Sequence, residues 1–215
     1  MTFQAAIFDM DGLLLDTERV CMKIFKQACE VRNVPFLQDV YLTIIGRNAA
    51  GIEQAICNGY GPDLDYPSLN AEWRKRYDAV VMNQAIPIKD GVVELLEWLK
   101  GNNVPIAVAT STRKEVAETK LRLAGLSQYF DVLATGCEVK QGKPDPEIFL
   151  LAASRLGVDA QYCLAFEDSN NGVRSAVAAN MTTYQIPDLV EPCDEVLALD
   201  HKVRSSLELV LAELK

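Results

Sequence analysis

The chain has 215 residues, 49% of them apolar and 24% charged, which is typical of a soluble globular protein with room for one core domain and a smaller insertion. Its 30 acidic and 21 basic residues give a formal net charge of -9, which argues against a surface built to bind nucleic acid. No uncharged stretch approaches the length needed to cross a bilayer, and no basic, apolar leader opens the chain, so we expect a cytoplasmic protein without a membrane partner.

The six cysteines include no CxxC pair, and several lie within apolar stretches, where cysteine acts as a small hydrophobic residue. We therefore expect reduced thiols. The single histidine, His201, lies in a charged stretch near the C-terminus, and we expect it at the surface. A serine or cysteine nucleophile would then lack its usual base, which argues against a catalytic triad.

Residues 5–11, AAIFDMD, form the first predicted strand, and this apolar run ends in two aspartates, Asp9 and Asp11. A turn at the end of a strand explains one such aspartate. An EF-hand calcium loop also opens with D-x-D, but Leu13 and Leu14 occupy the positions where that loop needs an oxygen ligand and a glycine. The pair therefore needs another explanation.

Residues 18–84 differ from the rest of the chain, because helical spacing of apolar residues recurs there without a convincing strand. The segments ERVCMKIFKQACEVRN and LNAEWRKRYDAVVMNQ each predict a helix. Pro87 and Gly91 then mark a turn before the predicted helix VVELLEWLK. We predict an all-α domain at 18–84, inserted into a core formed by residues 1–17 and 85–215.

From residue 105 onward, short β-rich runs alternate with helical patterns. The predicted strands are PIAVAT (105–110), FDVLAT (130–135), YCLAFED (162–168) and TTYQIP (182–187). This alternation predicts an α/β fold, in which a Rossmann-like, doubly wound parallel sheet is covered by helices on both faces. Ligands bind at the carboxyl ends of the strands in such sheets, so we expect Asp9, Thr110, Glu167 and Asp168 to share one pocket.

Four motifs in this order carry a resemblance to a known family. The segment DMDGLLLDTE resembles the first motif of the haloacid dehalogenase-like phosphohydrolases, D-x-D-G-x-x-x-D-S/T. VATST resembles the second motif and aligns its hydroxyl residue with Thr110, and GKPDPEIF resembles the third and aligns its lysine with Lys143. FEDSNNG resembles the fourth, whose acidic pair falls on Glu167 and Asp168. The helical insert after the first motif is similar to the cap of the subgroup that contains β-phosphoglucomutase and phosphoglycolate phosphatase.

The resemblance implies a phosphatase that uses Mg²⁺. A phosphate dianion repels a carboxylate nucleophile, and a divalent cation reduces that repulsion. The ion would be held by the Asp9 carboxylate, the Asp11 backbone carbonyl and Asp168, with Glu167 as a direct ligand or one that acts through water. Asp9 would attack phosphorus to form an aspartyl-phosphate, while Asp11 would protonate the leaving group and later deprotonate the hydrolytic water.

The remaining motif residues would bind the phosphoryl group. Lys143 would balance the charge of the nucleophile and the phosphoryl oxygens, since the Pro-Asp-Pro that follows it fixes the start of the next helix. Thr110 and the amide of Ser111 would hold a phosphoryl oxygen, although Thr110 could also end the strand or cap the next helix. The pKa of Asp11 stays open, because Asp9 and a closed cap raise it whereas the metal and Lys143 lower it.

The cap would select the substrate. Arg47, in IIGRNAAG, resembles a cap arginine that some relatives use to hold the far end of the substrate, but here it directly follows Gly46, and a solvated arginine is the alternative. The mutase of this subgroup has a histidine near the position of Cys21, and a thiol is a poor replacement for an imidazole. Hydrolysis of a small phosphorylated metabolite, of sugar phosphate or phosphoglycolate type, is therefore favoured over phosphoryl transfer between sugar hydroxyls.

Other classes of protein fit the motifs less well. A dehalogenase of the same fold would not need the metal carboxylates, and a receiver domain places its acidic pair before the phosphoacceptor aspartate. A non-catalytic phosphate-binding protein is a further alternative, but no catalytic group is missing. The motifs leave the substrate and the oligomeric state open, and a monomer is compatible with them.

Overall fold

A computed structural model describes residues 3–45, 47 and 49–215. The described residues form six strands: β1 (Ala5–Phe8), β2 (Ile106–Thr110), β3 (Val132–Thr135), β4 (Cys163–Glu167), β5 (Thr182–Gln185) and β6 (Lys202–Val203). They also form ten α-helices: α1 (Thr17–Val31), α2 (Gln38–Leu42), α3 (Ala49–Tyr60), α4 (Tyr66–Val81), α5 (Val92–Gly101), α6 (Lys114–Leu123), α7 (Glu147–Leu156), α8 (Asn170–Ala178), α9 (Asp194–Leu197) and α10 (Leu207–Leu214).

The six strands form one parallel sheet in the order β3-β2-β1-β4-β5-β6. This is the strand order of a doubly wound, Rossmann-like sheet, and it confirms the predicted fold class. The order reverses between β1 and β4, which pair with Phe8 opposite Phe166. A crevice for ligands is expected where strand order reverses, so the topology singles out the carboxyl ends of these two strands.

Helices cover both faces of the sheet, and the inner strands β1, β2 and β4 are therefore buried on both sides. In β1, Ala6 and Phe8 belong to one apolar cluster and Ala5 and Ile7 to the other, as the two-residue period of a strand requires. The Phe8 ring stacks on Phe166 with its centroid 4.4 Å away. These two buried clusters hold the carboxyl ends of β1 and β4 side by side.

Helices α1–α4 form the all-α cap inserted between β1 and β2, as predicted. They pack around a third apolar cluster, in which the Phe25 ring lies 4.8 Å from Trp73 and 5.3 Å from Tyr41. The chain crosses between core and cap twice, and the crossings run side by side, because Asp16 N donates to Pro87 O at 2.8 Å and Lys89 N to Leu14 O at 3.1 Å. The exact domain boundaries, after residue 17 and before residue 85, stay a prediction.

Several features of the described chain were not predicted individually, including helices α2, α3 and α10. Strand β6 has only two residues and helix α9 only four, too short to produce a periodic signal. His201 is half-buried rather than at the surface, with Nε2 2.9 Å from Gln185 Oε1.

All six cysteines are free thiols, as expected. Within the ranges that the structure describes, none of the helices combines the length and the apolar character needed to cross a membrane.

Candidate active site

The site begins at the carboxyl ends of β1 and β4. Asp9 follows β1 directly, and its backbone N donates to Phe166 O at 2.9 Å, which continues the ladder by one step. Glu167 is the last residue of β4, and Asp168 follows it. Asp9, Glu167 and Asp168 are all buried, with exposed fractions of 6%, 0% and 8%. The sheet therefore brings together three carboxylates, of which the first and the last, Asp9 and Asp168, are 159 residues apart in the sequence.

Ligand oxygens from these three carboxylates lie within 4.8 Å of one another. Burial raises the pKa of Asp9 to about 8 against the opposing Lys143 ammonium, and the Glu167 and Asp11 carboxylates add to the rise. Burial and the Glu167 and Asp9 carboxylates also raise the pKa of Asp168. A buried cluster of like charges is costly without a cation, and carboxylate oxygens are the ligands that Mg²⁺ prefers. The donor set therefore fits a hard divalent ion.

Two glycines of the motifs leave room for these carboxylates. Gly12 has φ = +87°, and a Cβ on it would overlap the Asp168 carboxylate. A Cβ on Gly172, near the start of α8, would overlap the Glu167 carboxylate. Ser169 fixes the same turn, because its hydroxyl donates to Glu167 Oε2 and accepts from Gly172 N, at 3.1 and 3.0 Å. The acidic pair is thus packed against backbone that tolerates no side chain.

Both carboxylate oxygens of Glu167 already have protein partners. Oε1 accepts from Lys143 Nζ at 2.5 Å, and Oε2 accepts from the backbone N atoms of Asp168 and Ser169, each at 3.1 Å. A carboxylate so fully engaged suits contact with a metal through water better than direct ligation.

Lys143 lies between the first and fourth motifs. Its ammonium donates to Asp9 Oδ1, to Glu167 Oε1 and, at 3.0 Å, to Ala109 O at the end of β2. The side chain is only 7% exposed. Burial alone would lower the pKa of Lys143, but the Asp9 and Glu167 carboxylates raise it above its ordinary value, so the side chain is a cation at neutral pH.

The loop before α7 places Lys143. Glu147, the first residue of α7, accepts from the backbone N atoms of Lys140 and Gln141, each at 2.9 Å. Ser175 of α8 donates its hydroxyl to Asp145 O at 2.6 Å. These bonds hold the loop to two helices, so the Pro-Asp-Pro segment that the sequence pointed to is anchored at both ends.

Thr110 and Ser111 line the same pocket as Asp9. Thr110 is the last residue of β2, and its hydroxyl accepts from Thr112 N at 3.1 Å. Helix α6 begins only at Lys114, with Arg113 as its N-cap. Thr110 therefore stabilises the turn after the strand rather than capping the helix, and Ser111 lies three residues before the helix.

Asp11 is held by two residues that the sequence analysis did not single out. Lys120 Nζ donates to Asp11 Oδ1 at 2.7 Å, and the Thr112 hydroxyl donates to Oδ2 at 2.6 Å. Burial alone would raise the pKa of Asp11, but the Lys120 charge and the hydrogen bonds from Lys120, Thr112 and Thr17 lower it. The cation that lowers this pKa most is thus Lys120 rather than Lys143, the cation named from the sequence. A lysine on the apolar face of α6, between Ala117 and Leu121, was the available signal.

The cap closes the other side of a cavity of about 530 Å³ above the carboxylates. Its cap lining includes Glu18, Cys21, Tyr41 and Trp73. Burial raises the pKa of Glu18 to about 7 and that of the Cys21 thiol to about 12, so the thiol is neutral at physiological pH. Arg47 lines the rim, is exposed, and donates Nε to Thr43 O at 2.5 Å.

The structure thus brings every predicted site residue to one cavity or its wall. Gly46, the residue before Arg47 in the motif comparison, lies outside the described residues. The role of each site residue stays a prediction.

Comparison with known proteins agrees with this geometry. Residues 3–180 match the sequence profile of the family described as haloacid dehalogenase-like hydrolase. The chain belongs to this family. The predictions that it is a member and an enzyme of the haloacid dehalogenase-like phosphatase type are both confirmed.

Individual relatives match more than four fifths of the chain. It is 35% identical over 181 residues to a phosphorylated carbohydrates phosphatase of Thermotoga maritima, covering 83% of this chain and 82% of the relative. It is 31% identical over 184 residues to the fructose-1-phosphate phosphatase YqaB of Escherichia coli, covering 86% and 96%. Among solved structures, a putative beta-phosphoglucomutase from Thermotoga maritima is similar, with a TM-score of 0.81, 30% identity and 98% of each chain covered.

Proposed function

We propose that this hydrolase is a magnesium-dependent phosphatase that releases phosphate from a small phosphorylated metabolite, through an aspartyl-phosphate on Asp9. The observation that carries the proposal is the buried group of Asp9, Glu167 and Asp168 with Lys143 between its members, at the floor of a cavity between core and cap. This arrangement offers both a nucleophile and the positive charge that a phosphate dianion requires.

Asp9 is the proposed nucleophile. Its carboxylate lies at the cavity floor, and its Oδ1 accepts a hydrogen bond from Lys143 Nζ. Attack on phosphorus forms the bond from the Asp9 oxygen and breaks the bond to the leaving oxygen, and water then releases phosphate from Asp9. Lys143 offsets the negative charge of Asp9 and of the phosphoryl oxygens in both steps, while Thr110 and Ser111 lie where they can bind one of those oxygens.

The Asp9 and Asp168 carboxylates and the Asp11 backbone carbonyl are the proposed ligands of Mg²⁺, with Glu167 acting through water. The bound ion supplies positive charge that lowers the repulsion between carboxylates and phosphate. Burial and the neighbouring carboxylates raise the pKa values of Asp9 and Asp168 in the absence of the ion. Each carboxyl must lose its proton to bind a metal, so protons compete with the ion for this site.

Asp11 is the proposed acid and base. It lines the cavity two residues after the nucleophile, so its carboxyl can pass a proton to the leaving oxygen and accept one from water in the second step. Its lowered pKa favours the second of these duties, because a base must be ionised. Substrates with a basic leaving group should depend most on proton donation by Asp11, because the departing oxygen needs a proton.

The proposed substrate is a sugar phosphate or a phosphoglycolate-type monoester. Two similar enzymes are named for phosphorylated carbohydrates and for fructose 1-phosphate. Phosphoryl transfer between sugar hydroxyls is the second candidate, because a similar structure is named a putative beta-phosphoglucomutase. Hydrolysis is favoured over it by Cys21, whose half-buried, neutral thiol lines the cavity near the place where the mutase has a histidine.

The test is phosphate release from a panel of phosphorylated metabolites and p-nitrophenyl phosphate, with and without added Mg²⁺. We expect Mg²⁺-dependent release that Asp9→Asn abolishes, while Asp63→Asn, an exposed aspartate of the cap, leaves it unchanged. Trapping of radiolabelled phosphate on the protein should also disappear in Asp9→Asn. Undiminished release by Asp9→Asn, or no release by the wild-type protein, would reject the proposal.

A further inference from the structure

Lys120 has an unusual environment for a lysine. It lies on core helix α6, its side chain is 0% exposed, and it shares the buried face of the helix with Ala117 and Leu121. An apolar residue would fill such a position without the cost of burying a charge, which proteins accept only when the charge is paired. The ammonium must therefore be explained by its partners.

Its two partners come from different domains. Lys120 Nζ lies 2.7 Å from Asp11 Oδ1 in the core and 2.7 Å from the Tyr77 hydroxyl on cap helix α4. The same nitrogen is 5.3 Å from the centre of the Tyr77 ring, which places it beside the hydroxyl at the edge of the ring rather than over its face. The contact is thus a directional hydrogen bond that requires the cap to lie on the core.

Together with Thr112, Lys120 engages both oxygens of the Asp11 carboxylate. A carboxylate held at both oxygens cannot rotate, yet each oxygen has a second lone pair that can face the cavity. A proton donor or acceptor must be held close to its productive orientation for efficient transfer.

We infer that Lys120 is a positioning residue for the acid and base Asp11, and that Tyr77 completes this arrangement when the cap packs on the core. The inference rests on the proposed function, because it assumes that Asp11 transfers protons. Cap placement then controls proton transfer as well as access to the cavity, through one buried ammonium.

The test compares two substrates of similar shape, phenyl phosphate and p-nitrophenyl phosphate, by kcat/KM in the presence of Mg²⁺. When Asp9 attacks, the bond to the leaving oxygen breaks and that oxygen takes a proton from Asp11. The basic phenolate needs this proton, whereas the stabilised nitrophenolate leaves without it. A loss of proton transfer therefore appears as a change in the ratio of the two kcat/KM values, which a general loss of structure does not alter.

For Lys120→Met we expect kcat/KM to fall about 100-fold for phenyl phosphate and less than about 10-fold for p-nitrophenyl phosphate. Tyr77→Phe keeps the ring and should lower kcat/KM for phenyl phosphate by about 3–10-fold, again with a smaller loss for p-nitrophenyl phosphate. This loss is smaller than the full contribution of acid-base catalysis. Lys114→Met, at the exposed start of the same helix, should leave the ratio unchanged. In an Asp11→Asn background Tyr77→Phe should have no further effect, since it acts through Asp11.

The inference would be overturned if the ratio of the two kcat/KM values were unchanged in both Lys120→Met and Tyr77→Phe, whether or not activity on the two substrates falls. That result would leave the phosphatase proposal intact. If Lys120→Met does not fold, as judged by circular dichroism, Tyr77→Phe alone decides by the same ratio. A wild-type protein that hydrolyses neither substrate would instead reject the proposed function. The two failures are therefore distinguishable.

Discussion

Replacing Glu18 by glutamine should stabilise the protein at alkaline pH and change it little at acidic pH. Glu18 lies in the first turn of α1 and lines the cavity. Burial and the carboxylates of Asp11, Asp188 and Asp16 raise its pKa from 4.5 to about 7, against the opposing Lys120 charge. The folded protein therefore holds the Glu18 proton more tightly than the unfolded chain does, and this part of the stability is lost as pH rises from about 4.5 to about 7.

The size of the effect follows from the two pKa values. At about 1.4 kcal/mol per pH unit, the ionised side chain costs the folded state about 2–3 kcal/mol at pH 8 once its partial exposure is allowed for, and less than about 1 kcal/mol at pH 5. Glutamine keeps the shape and carries no charge. For a chain of this length we expect Glu18→Gln to raise the melting temperature by roughly 4–10 °C at pH 8.

Thermal unfolding followed by circular dichroism, in magnesium-free buffers at pH 5 and pH 8, measures this difference. Glu118→Gln is the matched control, because Glu118 lies on the surface of α6 with a side chain 57% exposed, and we expect no pH-dependent change from it. An equal shift of the melting temperature at both pH values, or a loss of stability at pH 8, would refute the conclusion that the pKa of Glu18 is raised in the folded protein.

Three other perturbations test separate parts of the structure. Gly172→Ala should lower the free energy of unfolding in urea by about 1–3 kcal/mol, because its Cβ has no room; Gly101→Ala, where the Cβ meets no atom within 4 Å, should be neutral or stabilising. Asp188→Ala removes the buried carboxylate shared by two cations at the cap crossings, and should cost about 1–3 kcal/mol by the same measurement, whereas a cost near zero would show that the crossings hold without it. Mg²⁺ at 100 times its Kd should add about 2.7 kcal/mol of stability. At one fixed Mg²⁺ concentration the gain should be larger at pH 8.5 than at pH 6, because burial raises the pKa of Asp9 to about 8 and its proton competes with the ion; Asp168→Asn should remove the gain, and a gain retained in that variant would contradict the proposed ligand set.

Much of the fold was predictable because its signals are local. Each of the five predicted strands contains an observed one, with the predicted run AAIFDMD extending beyond β1 into the site. Apolar runs of four or five residues between helical patterns are characteristic of a buried parallel sheet. Strand β6 escaped prediction because two residues carry no period, and its pairing with Tyr184 and Gln185 depends on a partner 18 residues away.

The candidate site was predictable to the extent that its residues follow strands. Asp9, Thr110 and Glu167 are at or next to the carboxyl ends of β1, β2 and β4, and parallel strands bring those ends to one edge whatever the details of packing. Lys120 and Tyr77 could not be found in this way. Each lies in mid-helix, and what makes them part of the site is that α6 and α4 meet across the core and the cap.

The sequence by itself determined that this chain is an α/β hydrolase with an all-α insert, and which acidic residues meet at the strand ends. It did so because strand periodicity and motif order are properties of neighbouring residues. Only the tertiary structure decided the charge state of the site, namely that Asp11 is opposed by Lys120 and Glu18 is left beside carboxylates. Those energies depend on burial and on distances of a few ångströms between helices that are far apart in the chain, and no local pattern encodes them.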